Sequence, residues 1–350
     1  MYLDHAATSP LRPEARAAME EGFRIWANPS SPHAEGRKAK AALEDARERV
    51  KRALGWDGEV IFTSGASEAA ALALRNAHGG KRLLSAVEHD CIRQAAPGAE
   101  HLPVLSDGQV DLAMLRAALD CERPVVAIQD INSETGNRQV LPFIDEMVAG
   151  AGGLLIVDCA QSAGKFNIPS CDMAIVSAHK FGGPIGIGAL LVKDYALLKP
   201  EGGHERGYRR GTENLPSVLG MAAALELPDG LYANEDTLRA LHGMDQVVRD
   251  AGGFWLSDRL CDATAYICSV AMPNIGASAQ VMRFDMAGIS VSQGSACSSG
   301  TMKTSRVLEA MQVPADIAAN TIRVSLGWNT TASEIERFCE VWLDMARAAA

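Results

Sequence analysis

Gly153-Leu-Leu-Ile-Val-Asp158 and Met173-Ala-Ile-Val-Ser-Ala-His-Lys180 decide the reading of this chain. Each holds an apolar run of strand length; the first closes on Asp158 and the second leads into Lys180. Neither alternates apolar with polar residues, so both belong inside a sheet that is covered on two faces. Similar runs stand at Glu59–Thr63, Lys81–Ser85, Val125–Asp130 and Gly188–Val192, separated by helical or turn segments that suit crossovers. Glu35–Leu54 and Ser67–Ala77 carry helical spacing. The pattern is α/β: a mostly parallel sheet with helices over it. Past the turn signal Leu227-Pro-Asp-Gly230 come a charged helix around Glu235–Ala251, shorter strand-like pieces and a final amphipathic helix, Ala332–Ala349. We read these as a second, smaller α+β domain.

Composition narrows the function classes. The chain has 350 residues, 47% hydrophobic and 22% charged, which excludes disorder as the main state. Its 33 basic against 43 acidic residues leave a net charge of −10, which disfavours nucleic acid or an anionic membrane surface as partner. No apolar run approaches the roughly 18–20 residues that cross a bilayer. The opening Met1-Tyr-Leu-Asp-His5 has no basic or apolar export region, so a reducing cytoplasm is expected and the eight cysteines are expected to be thiols. With no C-x-x-C and no Cys/His cluster at zinc spacing, no metal is expected.

Ligands of open α/β sheets sit beyond the carboxyl ends of the strands, and the residues there are chemically loaded. Lys180 follows a strand and can form a Schiff base, although a lone lysine is more often a solvated one. Asp158, at the end of the preceding strand, is placed to pair with a protonated pyridine nitrogen; its ordinary role would be a cap or turn. Gln161 is near enough in sequence to serve the same ligand. Thr63-Ser-Gly-Ala-Ser-Glu68 joins a strand to a helix, so free N–H groups there make an anion site or a plain cap. His89 in Val87-Glu-His-Asp90 is poised to stack on a ring and handle protons. Cys297, in Gln293-Gly-Ser-Ala-Cys-Ser-Ser-Gly300, has the small-residue setting of a reachable thiolate, whereas the other seven cysteines sit mostly in apolar or helical contexts. Arg323, in Thr321-Ile-Arg-Val-Ser-Leu326, could clamp a carboxylate or make a structural ion pair. A phosphate cradle, a pyridine partner and a Schiff-base lysine in that order are far more specific than any one of them.

These stretches, with Leu3-Asp-His-Ala-Ala-Thr-Ser-Pro10, Asn28-Pro-Ser-Ser-Pro-His33, Gly202-Gly-His-Glu-Arg-Gly207 and Arg210-Gly-Thr212, resemble the cysteine desulfurase family of class V aminotransferase-fold enzymes along essentially the whole chain. The resemblance implies a pyridoxal 5'-phosphate-dependent transferase fold of the aspartate aminotransferase type. That fold has a large domain with a mainly parallel seven-stranded sheet over residues 15–228, and a smaller α+β domain from residues 1–14 and 229–350 that carries the Cys297 loop. It implies that Lys180 binds the cofactor and that Ala66, Ser67, His89, Ser133, Asp158, Gln161, Ser177 and His179 contact it. Thr212 would reach the phosphate in the other subunit of a homodimer, Arg323 and Asn28 would bind substrate, and Cys297 would form the persulfide. Two positions depart from the family pattern. Ser133 stands where an asparagine is usual, and His5 replaces the asparagine of D-N-A-A-T. The chain stops at Ala350 without the extension by which housekeeping members bind a scaffold protein, which leaves the acceptor open.

The expected reaction is conversion of L-cysteine to L-alanine. The sulfur would pass through Cys297 to an acceptor or scaffold protein, for iron–sulfur cluster assembly or tRNA or other thiolation. The alternatives are a selenocysteine lyase, another class V lyase or aminotransferase, and a non-catalytic paralogue that acts as a binding subunit.

Overall fold

The computed structural model describes residues 1–227, 235–294 and 305–349. Seven strands form the main sheet: β1 (Glu59–Thr63), β2 (Arg82–Ser85), β3 (Glu100–Leu102), β4 (Val125–Gln129), β5 (Leu154–Asp158), β6 (Met173–Ser177) and β7 (Gly188–Val192). Their spatial order is β1-β7-β6-β5-β4-β2-β3. Only β7 is reversed, antiparallel to both β1 and β6, while the other pairs are parallel. The cause is the connection from β6. Residues 178–187 are too few for the helical crossover that a parallel neighbour needs, so the chain turns back and Ser177 pairs with Gly188. Lys180 therefore sits in a tight 3-10 turn, Ala178–Lys180, between two antiparallel strands.

Strands β4 to β7 are buried at every position, which is why they read as uninterrupted apolar runs. Successive side chains point to opposite faces. Leu155, Val157, Ala174 and Val176 join one core with residues of helices Ala34–Leu54, Leu141–Gly150 and Leu215–Leu225. Leu154, Ile156, Met173 and Ile175 join another with helix Ala66–Asn76. Each fully buried Leu, Ile or Val contributes about 1.5–3 kcal/mol, so the central strands anchor both layers. The edge strand β3 has no such signature: Glu100 and His101 are exposed, and pairing with β2 alone makes it a strand.

A second, antiparallel sheet in the order β10-β9-β8 comprises β8 (Phe254–Trp255), β9 (Ile267–Ala271) and β10 (Thr321–Ser325). Helices Glu235–Asp250 and Ala332–Ala349 pack over it, and the rings of Phe284 and Phe338 stack at 4.7 Å in its core. Leu3 and Ala6 belong to this core too, and Ser325 N donates to Leu3 O at 2.8 Å. A few residues later the chain enters helix Pro13–Ile25, whose Ala15 packs in the main core. Val307, Leu308, Met311 and Ala318 lie within the stretch 229–350 yet also pack into the main core. The two sheets are thus joined by buried contacts from both directions. His5 makes one of the joints: its ring fills the space that a Cβ on Gly327 would occupy, and Nδ1 lies 3.1 Å from Ser9 Oγ.

Candidate active site

The carboxyl ends of β1, β2, β4, β5 and β6 open on one cavity of about 770 Å³. Ala66, Ser67, His89, Ser133, Asp158, Gln161, Ser177, His179, Lys180 and Arg323 all line it. Residues from six separate stretches of sequence therefore meet in one place. Asn28 and Thr212 do not join them: both are exposed, and Asn28 borders a separate cavity with Arg47 and Glu205. Cys297 lies outside the described residues, as part of 295–304.

Lys180 Nζ donates to the carbonyls of Ala6 at 2.7 Å and Ala7 at 2.8 Å. Burial, helped by the positive charge of Arg323 and opposed by Asp158 and Asp4, pulls its pKa down to about 8. Asp158 Oδ1 accepts from Ala160 N at 2.9 Å. Burial pushes this carboxyl upward, while the Ala160 hydrogen bond, His89 and Lys180 pull it back. Gln161 Nε2 donates to Ala6 O at 2.9 Å. His179 Nδ1 lies 3.0 Å from Thr8 Oγ1, and burial beside Lys180 depresses its pKa to about 4.

The anion loop is shaped by close backbone approach. Gly65 caps helix Ala66–Asn76 with φ +148°, and a Cβ on Gly188 of β7 would come within 2.8 Å of Gly65 Cα. The two glycines let the loop settle against the sheet, with the first N–H groups of the helix at the cavity. Glu68 accepts from Ser64 N and pairs with Arg209 at 2.9 Å, which leaves its charge matched.

His89 is the N-cap of helix Asp90–Ala95, and its Nδ1 accepts from Cys91 N at 3.2 Å. In a neutral ring that bond assigns the proton to Nε2. Arg323, on β10, donates from Nη2 to Asp4 Oδ1 at 2.6 Å and from Nη1 to Ser133 O at 2.9 Å. Ser133 thus meets Arg323 through its backbone. Its neighbour Asn132 spends its side-chain oxygen on Glu134 N and Thr135 N, which shapes the turn.

A family model, aminotransferase class-V, matches residues 1–338. The chain belongs to the aminotransferase class-V family. Among relatives of this class-V chain, the "Cysteine desulfurase" of Cereibacter sphaeroides is 37% identical over 97% of this chain and 94% of its own length. The "Cysteine desulfurase IscS" of Dictyoglomus turgidum is 30% identical over 97% of this chain and 93% of its own length. Among solved structures, the NifS-like protein from Rickettsia africae superposes with a TM-score of 0.89 at 28% identity, covering 99% of both chains. "SspA in complex with cysteine" gives a TM-score of 0.81 at 27% identity over 94% of this chain and 99% of its own. The α/β class and the mainly parallel seven-stranded sheet expected from the sequence are those of the class-V fold.

Sequence reasoning missed several residues of this class-V site. Glu88, adjacent to His89, is buried with Oε1 accepting from Gln129 N at 2.8 Å, and burial together with Asp158 drives its carboxyl well above the usual range. Cys91 faces the same cavity, where burial and the carboxylates of Asp158 and Glu88 push its thiol up to about 12. Asp4, Ala6 and Ala7, within the stretch Leu3–Pro10, hold Arg323 and Lys180. Their only signal is that stretch, because two of the three act through backbone carbonyls.

Proposed function

We infer that this chain is a cysteine desulfurase that converts L-cysteine to L-alanine and passes the sulfur, as a Cys297 persulfide, to an acceptor. The observation that carries the reading is convergence: an amine, a buried carboxylate and a guanidinium meet in one cavity of a class-V family member. Relatives named cysteine desulfurase along nearly the whole chain, and a structural neighbour titled as a complex with cysteine, support the substrate.

Pyridoxal 5'-phosphate fits the residues present. The buried Asp158 carboxylate matches a cationic ring nitrogen, the helix start at Ala66 and Ser67 matches a phosphate, and Lys180 Nζ keeps one N–H beyond its two carbonyl contacts. When bound, this cofactor supplies an aldehyde that condenses with amines and a ring that draws electrons from the substrate carbon. Ser177, His179, Gln161, His89 and Ser133 would border it.

The chain's own residues do the rest. Arg323 holds the substrate carboxylate. Lys180, whose amine is depressed to about 8, exists partly neutral at physiological pH and accepts the Cα proton. His89, which lines the cavity, would offer Nε2–H as a donor to the bound group. The Cys297 thiolate forms an S–S bond to the substrate sulfur as the Cβ–S bond breaks. The electron pair of that bond goes to Cβ, which takes up a proton, and return of a proton to Cα leaves alanine.

We assign Thr212 to the interface of a homodimer, in which it reaches the partner's phosphate, as its exposure supports, and we retain Asn28 as a substrate-binding residue. The acceptor is a protein of iron–sulfur assembly or thiolation. A cytosolic setting agrees with seven free cysteines among the described residues, and none of the helices described is long and apolar enough to cross a membrane.

The test is to incubate the purified protein with L-cysteine and quantify alanine and persulfide sulfur, alongside Lys180→Ala. Alanine from the parent and none from the variant is expected. Equal alanine from both would refute the assignment of Lys180, and turnover of L-selenocysteine alone would point to a lyase instead.

A further inference from the structure

Arg323 does not stand free in the cavity. Besides its bonds to Asp4 and the Ser133 carbonyl, its Nε is buried with no hydrogen-bond partner. The guanidinium side chain is 4% exposed and that of Asp4 21% exposed, so the pair is shielded from water. Asp4 belongs to a segment that also touches the other end of the site. The carbonyls of Ala6 and Ala7 hold Lys180 Nζ, and Ala6 N donates to Ser325 Oγ at 2.9 Å, two residues beyond Arg323 on β10. One short stretch thus bears on both the group that would bind the substrate carboxylate and the group that would take its proton.

We propose that Asp4 is the positioning residue of Arg323, fixing through Nη2 the orientation in which the guanidinium, which lines the cavity, meets the carboxylate of the amino-acid substrate at a set separation from Lys180. The proposal rests on the reading of Arg323 as the carboxylate holder. Two effects of Asp4 oppose each other. Its charge weakens the pull of Arg323 on a second carboxylate. Against that, a buried guanidinium deprived of its partner must find another. The half-buried carboxyl of Glu134, which also lines the cavity, feels the charge of Arg323. Without Asp4, Arg323 turns toward Glu134 and loses the orientation that substrate needs. Orientation outweighs the charge because the carboxylate must be met by directed N–H groups rather than by a diffuse field.

The experiment uses the cofactor-loaded enzyme and compares Asp4→Asn, Asp4→Glu, Arg323→Ala and the double variant Asp4→Asn/Arg323→Ala, with melting temperature and cofactor absorbance recorded for each. Asp4→Asn is expected to raise KM for L-cysteine about tenfold with kcat within about threefold of the parent. Asp4→Glu should recover part of that loss, and Asp4→Asn should add no loss once Arg323 is alanine. A KM unchanged or lowered in Asp4→Asn overturns the proposal, as does an equal loss in the Arg323→Ala background. If Arg323→Ala itself leaves KM unchanged, the carboxylate-holder reading fails and Asp4 falls with it. Should Asp4→Asn not fold, Asp4→Ser carries the same comparison.

Discussion

Lys165 offers a quantitative check on how dry the site is. It is 8% exposed, its Nζ donates to Gln161 O at 3.0 Å and lies 4.6 Å from the centre of the Tyr266 ring. Burial, followed by repulsion from Lys180, lowers its pKa from 10.5 to about 7. Because the folded-state value lies below the unfolded one, the unfolded chain binds more protons between pH 7 and 10.5, and stability rises with pH across that window. Below pH 7 the whole penalty is present. At about 1.4 kcal/mol for each tenfold change in proton affinity, it amounts to about 5 kcal/mol. About 2 kcal/mol of it is relieved between pH 7 and pH 9. The perturbation is Lys165→Met, which keeps the volume and removes the titrating group. Urea unfolding of parent and variant at pH 7, 8 and 9 gives the difference in unfolding free energy at each pH, so that titrating groups not coupled to Lys165 cancel. The parent should gain about 2 kcal/mol on the variant between pH 7 and pH 9. The loss of the Gln161 contact adds an offset that does not change with pH. Parallel curves, differing by less than about 0.5 kcal/mol across the range, would refute the reasoning, since they would mean an amine equally charged in both states.

Two further outcomes concern other residues. Cys297→Ser should bind the cofactor and change colour with L-cysteine, yet form alanine on the order of 100-fold or more slowly, because a hydroxyl is protonated near pH 7 where a thiol is partly ionised; alanine at the parent rate would remove Cys297 from the sulfur path. Glu205→Gln should destabilise the chain by about 3 kcal/mol, because it removes the buried charge that holds the Arg47 guanidinium at 2.8 and 3.0 Å and leaves it only the Val60 carbonyl and the more exposed Glu44. The double variant Arg47→Met/Glu205→Leu should lose much less, and unfolding midpoints that rank the two the other way would contradict this account.

The amino-acid sequence by itself determined the central strands, the long helices and the chemical inventory of the site. β5, β6 and β7 begin and end at the residues their apolar runs mark, because a strand covered on both faces needs apolar side chains at every position. Helix Ala332–Ala349 was equally legible, since one apolar face repeated over many turns has no other reading. Lys180, Asp158, His89 and Arg323 could be nominated because reactive side chains just past strand ends are few.

Other features were decided only in three dimensions. The reversal of β7 follows from the length of its connection and not from its composition, which matches that of its parallel neighbours. Edge strand β3 is defined by a hydrogen-bonding partner rather than by apolar residues. The hold on Lys180 comes from the carbonyls of Ala6 and Ala7 and that on Arg323 partly from the carbonyl of Ser133, and every residue carries a carbonyl, so no side-chain pattern announces them. Asp4 and Arg323 are 319 residues apart, and nothing local to either residue names the other. Their meeting depends on the first residues lying along β10, an arrangement set by burial of Leu3 and Ala6 in the second core.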